Sequence, residues 1–357
     1  MPSQAEALRE LRASLRSAGY FRRPTFRILG ELLFHLIVTG SGLAIFLWAA
    51  PSRWLQALGL VIVTVGSIGI GTNTHTSSHY ATSDRRWINQ ALTFFGYPLC
   101  FGLSATHWWH KHVVRHHSGP NMKGIDGDSD LFPWFATTLE EVSQSCGLRR
   151  IYYRYLQGFV FPIAIGLTLI VQQAFGVAQL LRALRDPAQR RVEHWIDLCA
   201  LLVHAAICCL IPVFFFPAVD VITFYLLRSV LNSYAMFVVF APAHMPAAAA
   251  RLSHDPQRLG QPLAHAATSL NFRAGRIGGL FFAGLEYQIE HHLVPDISHV
   301  YYPQVSVVVR KFCLQHSLPY RSYGLMHALW LSLLSIQRPR PVEDLKFLER
   351  LNPEKTG

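Results

Sequence analysis

The sequence predicts an all-α integral membrane protein, with about four transmembrane helices in two hairpins and a cytoplasmic helical cap. Three observations carry that expectation. The 357-residue chain is 51% hydrophobic and only 15% charged, with a mean hydropathy of +0.24, which is too apolar for an ordinary water-soluble domain. It holds charge-free runs at 32–52, 54–83, 155–181, 198–219 and 229–250, and about 20 such residues cross a bilayer as a helix. The strict alternation that a membrane β-barrel needs is absent.

The polar leader, 1–28, is rich in arginine ("LRASLRSAGYFRRPTFR"). Leu8, Leu11 and Leu15 fall on one helical face with Arg9, Arg12 and Arg16 off it, so an interfacial helix is expected. Its length ahead of the first apolar run argues against a cleaved signal peptide, so the mature chain is expected to keep it. Runs 32–52 and 54–83, joined by "APSRW", read as a hairpin that crosses and returns.

Three apolar runs lie between residues 118 and 285. If the polar clusters on either side are to meet, the number of crossings there must be even. The basic loop 182–191 separates the first run from the other two. The segment 155–181 is therefore expected to be re-entrant or in-plane, with 196–216 and 219–241 forming the second hairpin. No internal repeat or linker divides the membrane domain, 29–335, which ends in a polar tail, 336–357.

A net charge of +11, clustered in the leader, at 149–154, in "RALRDPAQRR" and near the C-terminus, reads as cytoplasmic flanks under the positive-inside rule. No nucleic-acid-binding module accompanies the charge, so no nucleic-acid partner is expected. The six cysteines (100, 146, 199, 208, 209, 313) form no CxxC and read as packing residues rather than disulfides or an iron–sulfur site. Arg228, in a charge-poor segment, is costly enough to suggest that it holds a headgroup or pairs with an acid, with snorkelling as the alternative.

The 18 histidines are unevenly spread. His75 and His79 sit at i and i+4, which on a helix places both rings on one face about 6 Å apart along the axis. His112 and His116 repeat that spacing in "HWWHKHVVRHH", and His117 points roughly 100° away. His291 and His292 are adjacent and diverge, so they suit two ions rather than one. Three such clusters, each at the edge of an apolar run, imply a dinuclear metal site. Imidazole suits Fe, Zn, Cu or Ni. The chain has no Glu-x-x-His pair of the carboxylate-bridged di-iron bundles and no HExxH helix for zinc hydrolysis.

With these residues the chain resembles the membrane fatty-acid desaturases, which carry three histidine boxes. Here the boxes read HxxxH (His75, His79), HxxxHH (His112, His116, His117) and QxxHH (Gln288, His291, His292). "GLEYQIEHHLVP" is close to the wording of the acyl-lipid and front-end branch, "ATSLNF" and the Asn121, Gly124, Asp126, Asp128 pattern also match, and "NSYAMFVVFAPAHMP" aligns with the segment that supplies an additional histidine, His244. Val113 departs from the family, since many members have Asn there, and no HPGG haem motif precedes the boxes.

The resemblance implies an O2-dependent acyl desaturase with two non-haem iron ions and O2 as co-substrate. The metal ligands would be His75, His79, His112, His116, His117, His244, His291 and His292. Gln288 would bind a ligand or metal-bound water, and Asn121, Asp126, Asp128 and Asp130 would support the ligands. The acyl chain would arrive on CoA, acyl-carrier protein or lipid, and electrons from a separate donor such as ferredoxin or a cytochrome-b-type protein. The implied setting is a bacterial plasma membrane with the site on its cytoplasmic side. Hydroxylation or ketolation at the same site is the alternative outcome, and a metal-handling membrane protein is the alternative class. His107 and His110 read as support for the site or, with Trp108 and Trp109, as an interfacial belt; His35 and His204 read as packed histidines.

Overall fold

The computed structural model describes residues 4–48, 52–256 and 259–344. Positions 50 and 51 of the "APSRW" turn and the end of the C-terminal tail, from 345, lie outside the described residues. Helix α1 (Gln4–Ser17) leads to α2 (Thr25–Trp48) and α3 (Arg53–Ser78), which form the expected antiparallel hairpin. Glycines permit their close approach: a Cβ on Gly42 or Gly59 would stand 2.6 or 2.7 Å from a backbone nitrogen of the partner helix. α3 is the central element, with its last three turns wholly or nearly enclosed by protein.

α4 (Arg86–Phe94) continues into a π-helical segment, Phe95–Phe101. α5 (Ala105–Trp109) continues into a second, His110–His116. The short α6 (Leu139–Ser143), closed by a Thr138–Glu141 capping box, and α7 (Gly147–Ile151) precede the long α8 (Gln157–Arg185). α9 (Val192–Ala205) breaks into π and 3-10 turns up to Phe214, and α10 (Ala218–His244) follows.

Among the described residues, five helical stretches are long and apolar enough to cross a membrane: Thr25–Trp48, Arg53–Ser78, Gly147–Arg185, Val192–Phe214 and Ala218–His244. Four of them keep less than a third of their most apolar window inside the protein. Phe159, Ile163, Phe175, Phe214 and Phe215 project outward together, a surface that water would penalise and lipid accepts.

The second hairpin differs from the expectation. α8 is one continuous helix that does not double back, and it packs antiparallel along α10: Phe161 meets Phe237, Gly166 meets Tyr234, the Leu169 amide donates to Ser233 and Gln173 donates to Tyr225. The packing of α8 along α10 differs from the expected pairing of 196–216 with 219–241. α9 is the interrupted element.

The remaining described elements are α11 (Pro262–Thr268), strand β1 (Asn271–Arg273), α12 (Gly275–Phe282), α13 (Gln288–Leu293), α14 (Tyr302–Gln315), strand β2 (Ser322–Gly324), parallel to β1, and α15 (Leu325–Gln337), which packs on α10. α1 packs against α11 and α14. Leu11 and Leu15, expected to face lipid, instead join Leu263, Ile289, Leu293 and Val309 in one buried core. Burying each contributes about 1.5–3 kcal/mol, so the protein itself uses this stripe. Arg12 pairs with Asp296 at 2.6 Å, tying the leader to the segment just after the third box.

Candidate metal centre

Four segments deliver the histidines. His75 and His79 end α3, box two occupies the π-helical segment after α5, His244 is the last residue of α10, and His291 and His292 lie on α13. They converge as two groups. The potential ligand atoms of His75, His79, His112, His117 and His291 lie within 4.8 Å of one another, and so do those of His116, His244 and His292. The adjacent pair His291 and His292 divides between the groups, as their divergence predicts.

Box two divides differently from the helical-wheel reading. The i, i+4 pair His112 and His116 is separated, and His112 shares its group with His117 instead. The cause is local: the His117 amide donates to the His112 carbonyl at 3.0 Å, an i to i+5 bond that widens the turn and brings residues five apart onto one side. Trp108, expected in an interfacial belt, is buried and stacked between Tyr97 and His112, with ring centroids 3.9 and 4.6 Å away.

The donor set fits metal ions. Nε2 of His75 lies 2.8 Å from Nε2 of His112, which lies 3.2 Å from Nε2 of His117, and Nε2 of His292 lies 3.2 Å from Nε2 of His244. Two imidazole nitrogens bound at right angles to one first-row ion stand about 3 Å apart. His79 Nε2 and His291 Nε2 are buried with no hydrogen-bond partner, a cost that an ion would remove. Burial holds His79 down at about 3 and drives His112, His117, His291 and His292 well below the usual imidazole range, which keeps all five neutral, the form in which imidazole could bind a metal.

Supporting residues fix the rings. Asp126 Oδ2 lies 3.0 Å from His116 Nδ1 and accepts from the Asn121 amide. Burial lowers the pKa of His116, but the Asp126 charge and hydrogen bond outweigh it and raise it. His244 Nδ1 faces the Thr268 carbonyl, His291 Nδ1 faces the Tyr302 hydroxyl at 3.2 Å, and the Asn121 side-chain amide donates to the His244 carbonyl at 2.8 Å. Gln288 donates to the Leu285 carbonyl and turns Oε1 toward His244 Nε2, 3.2 Å away. Asp128 also stands near His116, with ligand atoms of His116, Asp126 and Asp128 within 4.8 Å of one another, but it pairs with Lys111, while Asp130 pairs with Arg251. His110 is exposed, and neither it nor His107 enters the two groups.

A family model described as "Fatty acid desaturase" matches residues 51–324, more than three quarters of the chain. The chain belongs to the fatty acid desaturase family. It is 29% identical to a Delta(8)-fatty-acid desaturase of Euglena gracilis over 74% of this chain and 63% of that protein. It is 25% identical to fatty acid desaturase 3 of Homo sapiens over 92% of this chain and 72% of the relative. It is 24% identical to an sn-1 linoleoyl-lipid 6-desaturase of Arthrospira platensis over 79% of each. The chain thus spans less than two thirds of the Euglena protein.

In this desaturase-family chain the sequence singles out Arg228 and His204 but not the contacts they make, and it does not point to Gln173, Asp197 or Glu290. The 99–106 segment, which feeds box two, is held at both ends by apolar helices. Before the left-handed Gly102, the carbonyls of Leu99, Cys100 and Phe101 meet His204 Nδ1, Arg228 and Gln173. Beyond it, buried Asp197 of α9 accepts from Ser104, the Ala105 amide and both the amide and hydroxyl of Thr106. Arg228 therefore satisfies a helix end inside the apolar layer, where no water can. The third box is braced likewise: Glu290 accepts from Asn271 at 2.8 Å and Tyr320 at 2.7 Å, and Asn271 Oδ1 accepts from the Ile289 amide.

Proposed function

We propose that the protein is an O2-dependent acyl desaturase of the acyl-lipid and front-end branch. The carrying observation is the convergence of all three boxes and His244 into a five-histidine and a three-histidine group. Two iron ions would be held there, one by His75, His79, His112, His117 and His291, the other by His116, His244 and His292. Bound iron supplies the oxidising power that cleaving unactivated C–H bonds with O2 requires. Electrons come from a separate donor protein of the ferredoxin or cytochrome-b type.

The chain's own residues do the rest. Asp126, Tyr302 and the Thr268 carbonyl hold the distal ring nitrogens of His116, His291 and His244, fixing their orientation. Gln288 places its amide oxygen against the three-histidine group, where it holds a ligand or a metal-bound water. The acyl chain would enter between the apolar helices, with its CoA, acyl-carrier protein or lipid headgroup left at the surface. The acyl class is supported by the names of the relatives, and the Gln-x-x-His-His box supports the branch.

The site lies at the cytoplasmic face of a plasma membrane, bacterial in type. Thr25, which follows the arginines of the leader, donates to the Thr82 carbonyl close to box one, so the basic end of α2 and the site share one side. Four helices cross: α2, α3, α8 and α10. Boxes one and two share that side with His244, which requires an even number of crossings between them, and α9, broken after Ala205, is the one that does not cross. Fatty-acid profiling of cells that supply the donor tests the function. Wild type is expected to add a double bond that His291→Ala does not, and hydroxylated product or an unchanged profile overturns the reading.

A further inference from the structure

We propose that Glu31, His299 and Thr76 form a proton-delivery chain from the water-facing end of α2 to the five-histidine group. The inference rests on the desaturation reading. The balanced reaction is R–CH2–CH2–R′ + O2 + 2 e⁻ + 2 H⁺ giving R–CH=CH–R′ + 2 H2O. Two of the four hydrogens in the waters leave the acyl chain. The other two enter as protons, alongside the electrons from the donor protein, and the centre they must reach is enclosed.

The three residues come from three separate segments and meet in series. Thr76, next to the ligand His75, has its hydroxyl 2.6 Å from His299 Nδ1. On the opposite side of the ring, His299 Nε2 lies 2.8 Å from Glu31 Oε2. Glu31 Oε1 accepts from Arg27 Nε at 3.2 Å. Exposure rises along the series, from 7% of the His299 side chain to 21% for Glu31 and 65% for Arg27. Both ring nitrogens of His299 are thus engaged, one toward solvent and one toward the centre. An imidazole so placed accepts a proton on one nitrogen and releases one from the other.

The inner end opens on a cavity. It is lined on its polar side by His75, Thr76, His79, His291, His299 and Tyr302, and its water-sized space is ≈ 10 Å³. That is room for about one water molecule with several polar partners, as a buried water needs. The chain therefore ends against three ligands of the five-histidine group. A purely structural tie between α2, α3 and 299–301 would be better served by apolar contact, because a buried imidazole–carboxylate pair carries a desolvation cost.

The test uses the full chain loaded with iron and supplied with donor protein, in wild type, Glu31→Gln, Glu31→Asp and Thr76→Val. Bound iron per chain, thermal midpoint, turnover and the solvent deuterium isotope effect on kcat are measured. Glu31→Gln is expected to keep wild-type iron and midpoint, lose about tenfold or more in turnover and show a larger isotope effect, while Glu31→Asp recovers most of the rate. If Glu31→Gln does not fold, Thr76→Val, which keeps the side-chain shape, carries the same expectation. Wild-type turnover in Glu31→Gln overturns the chain, as does a rate loss that only parallels iron loss. A wild type that makes no unsaturated product overturns the desaturation reading and this inference with it.

Discussion

Asp126 and His116 stand 3.0 Å apart with both side chains enclosed, the carboxylate completely. The oxygen that faces the ring also accepts from the Asn121 amide, and the other accepts from the Asp128 amide. This acid is therefore fixed before any ion arrives, and it fixes the ring. Asp126→Asn is expected to weaken metal binding at the three-histidine group by about 10–100-fold, measured as metal retained against a chelator. Asp128→Asn, which removes an exposed partner of Lys111, should retain wild-type binding.

Glu290 makes a different demand. It directly precedes His291 and His292 in sequence, but its oxygens accept from Asn271 and Tyr320 rather than joining either histidine group, and burial pushes its carboxyl up. Asn271 serves it with the side-chain amide while its oxygen holds the Ile289 amide at the start of α13. Asn271→Ala leaves two buried groups without this partner, so a loss of about 2–4 kcal/mol is expected. Thermal unfolding in detergent measures it, and an unchanged midpoint refutes the bracing role.

How much of this was legible follows the local periodicity. His75 and His79 were assigned to one face because α3 is regular to its end, and both join one group. The division of His291 from His292 followed equally from helix geometry. Box two was misread because π-helical turns replace the 3.6-residue period there, and nothing in "HWWHKHVVRHH" announces that change. His244 rested on family resemblance, since a lone histidine ending an apolar run carries no spacing signal. His299, Glu31 and Asp197 carry no such signal either, since each acts through a partner 92 to 268 residues away, and the role of Asn271, inside the "ATSLNF" match, depends on Glu290, 19 residues away. The second hairpin was mispaired because apolar runs show length and not neighbours. The glycine and serine contacts of α8 with α10 are tertiary facts.

Asp197 sets a prediction about how the membrane helices support box two. It is fully enclosed and satisfies the first amides of α5, while Arg228 and Gln173 satisfy the carbonyls on the other side of Gly102. Asp197→Ala strands several donors in an apolar layer at about 1–3 kcal/mol each, so a fall of about 3 kcal/mol or more is expected. The matched measurement is bound metal: α5 leads directly into His112, His116 and His117, so metal content should fall with stability. Metal content that stays whole while the midpoint falls would separate the segment from the site.

The unequal division of the histidines yields the last prediction. Removing His79 leaves the first group with four imidazoles, whereas removing His244 leaves the second with two plus the amide oxygen of Gln288. Four nitrogen donors suffice to hold a first-row ion, and two do not. His79→Ala is therefore expected to keep about two ions per chain at ordinary metal concentration, and His244→Ala about one. His244 also has its carbonyl bonded to Asn121, a contact that alanine preserves, so the loss reports the ring and not the backbone. Metal analysis of the two purified variants decides it: equal loss in both would mean that the groups act as one shared set rather than as two sites.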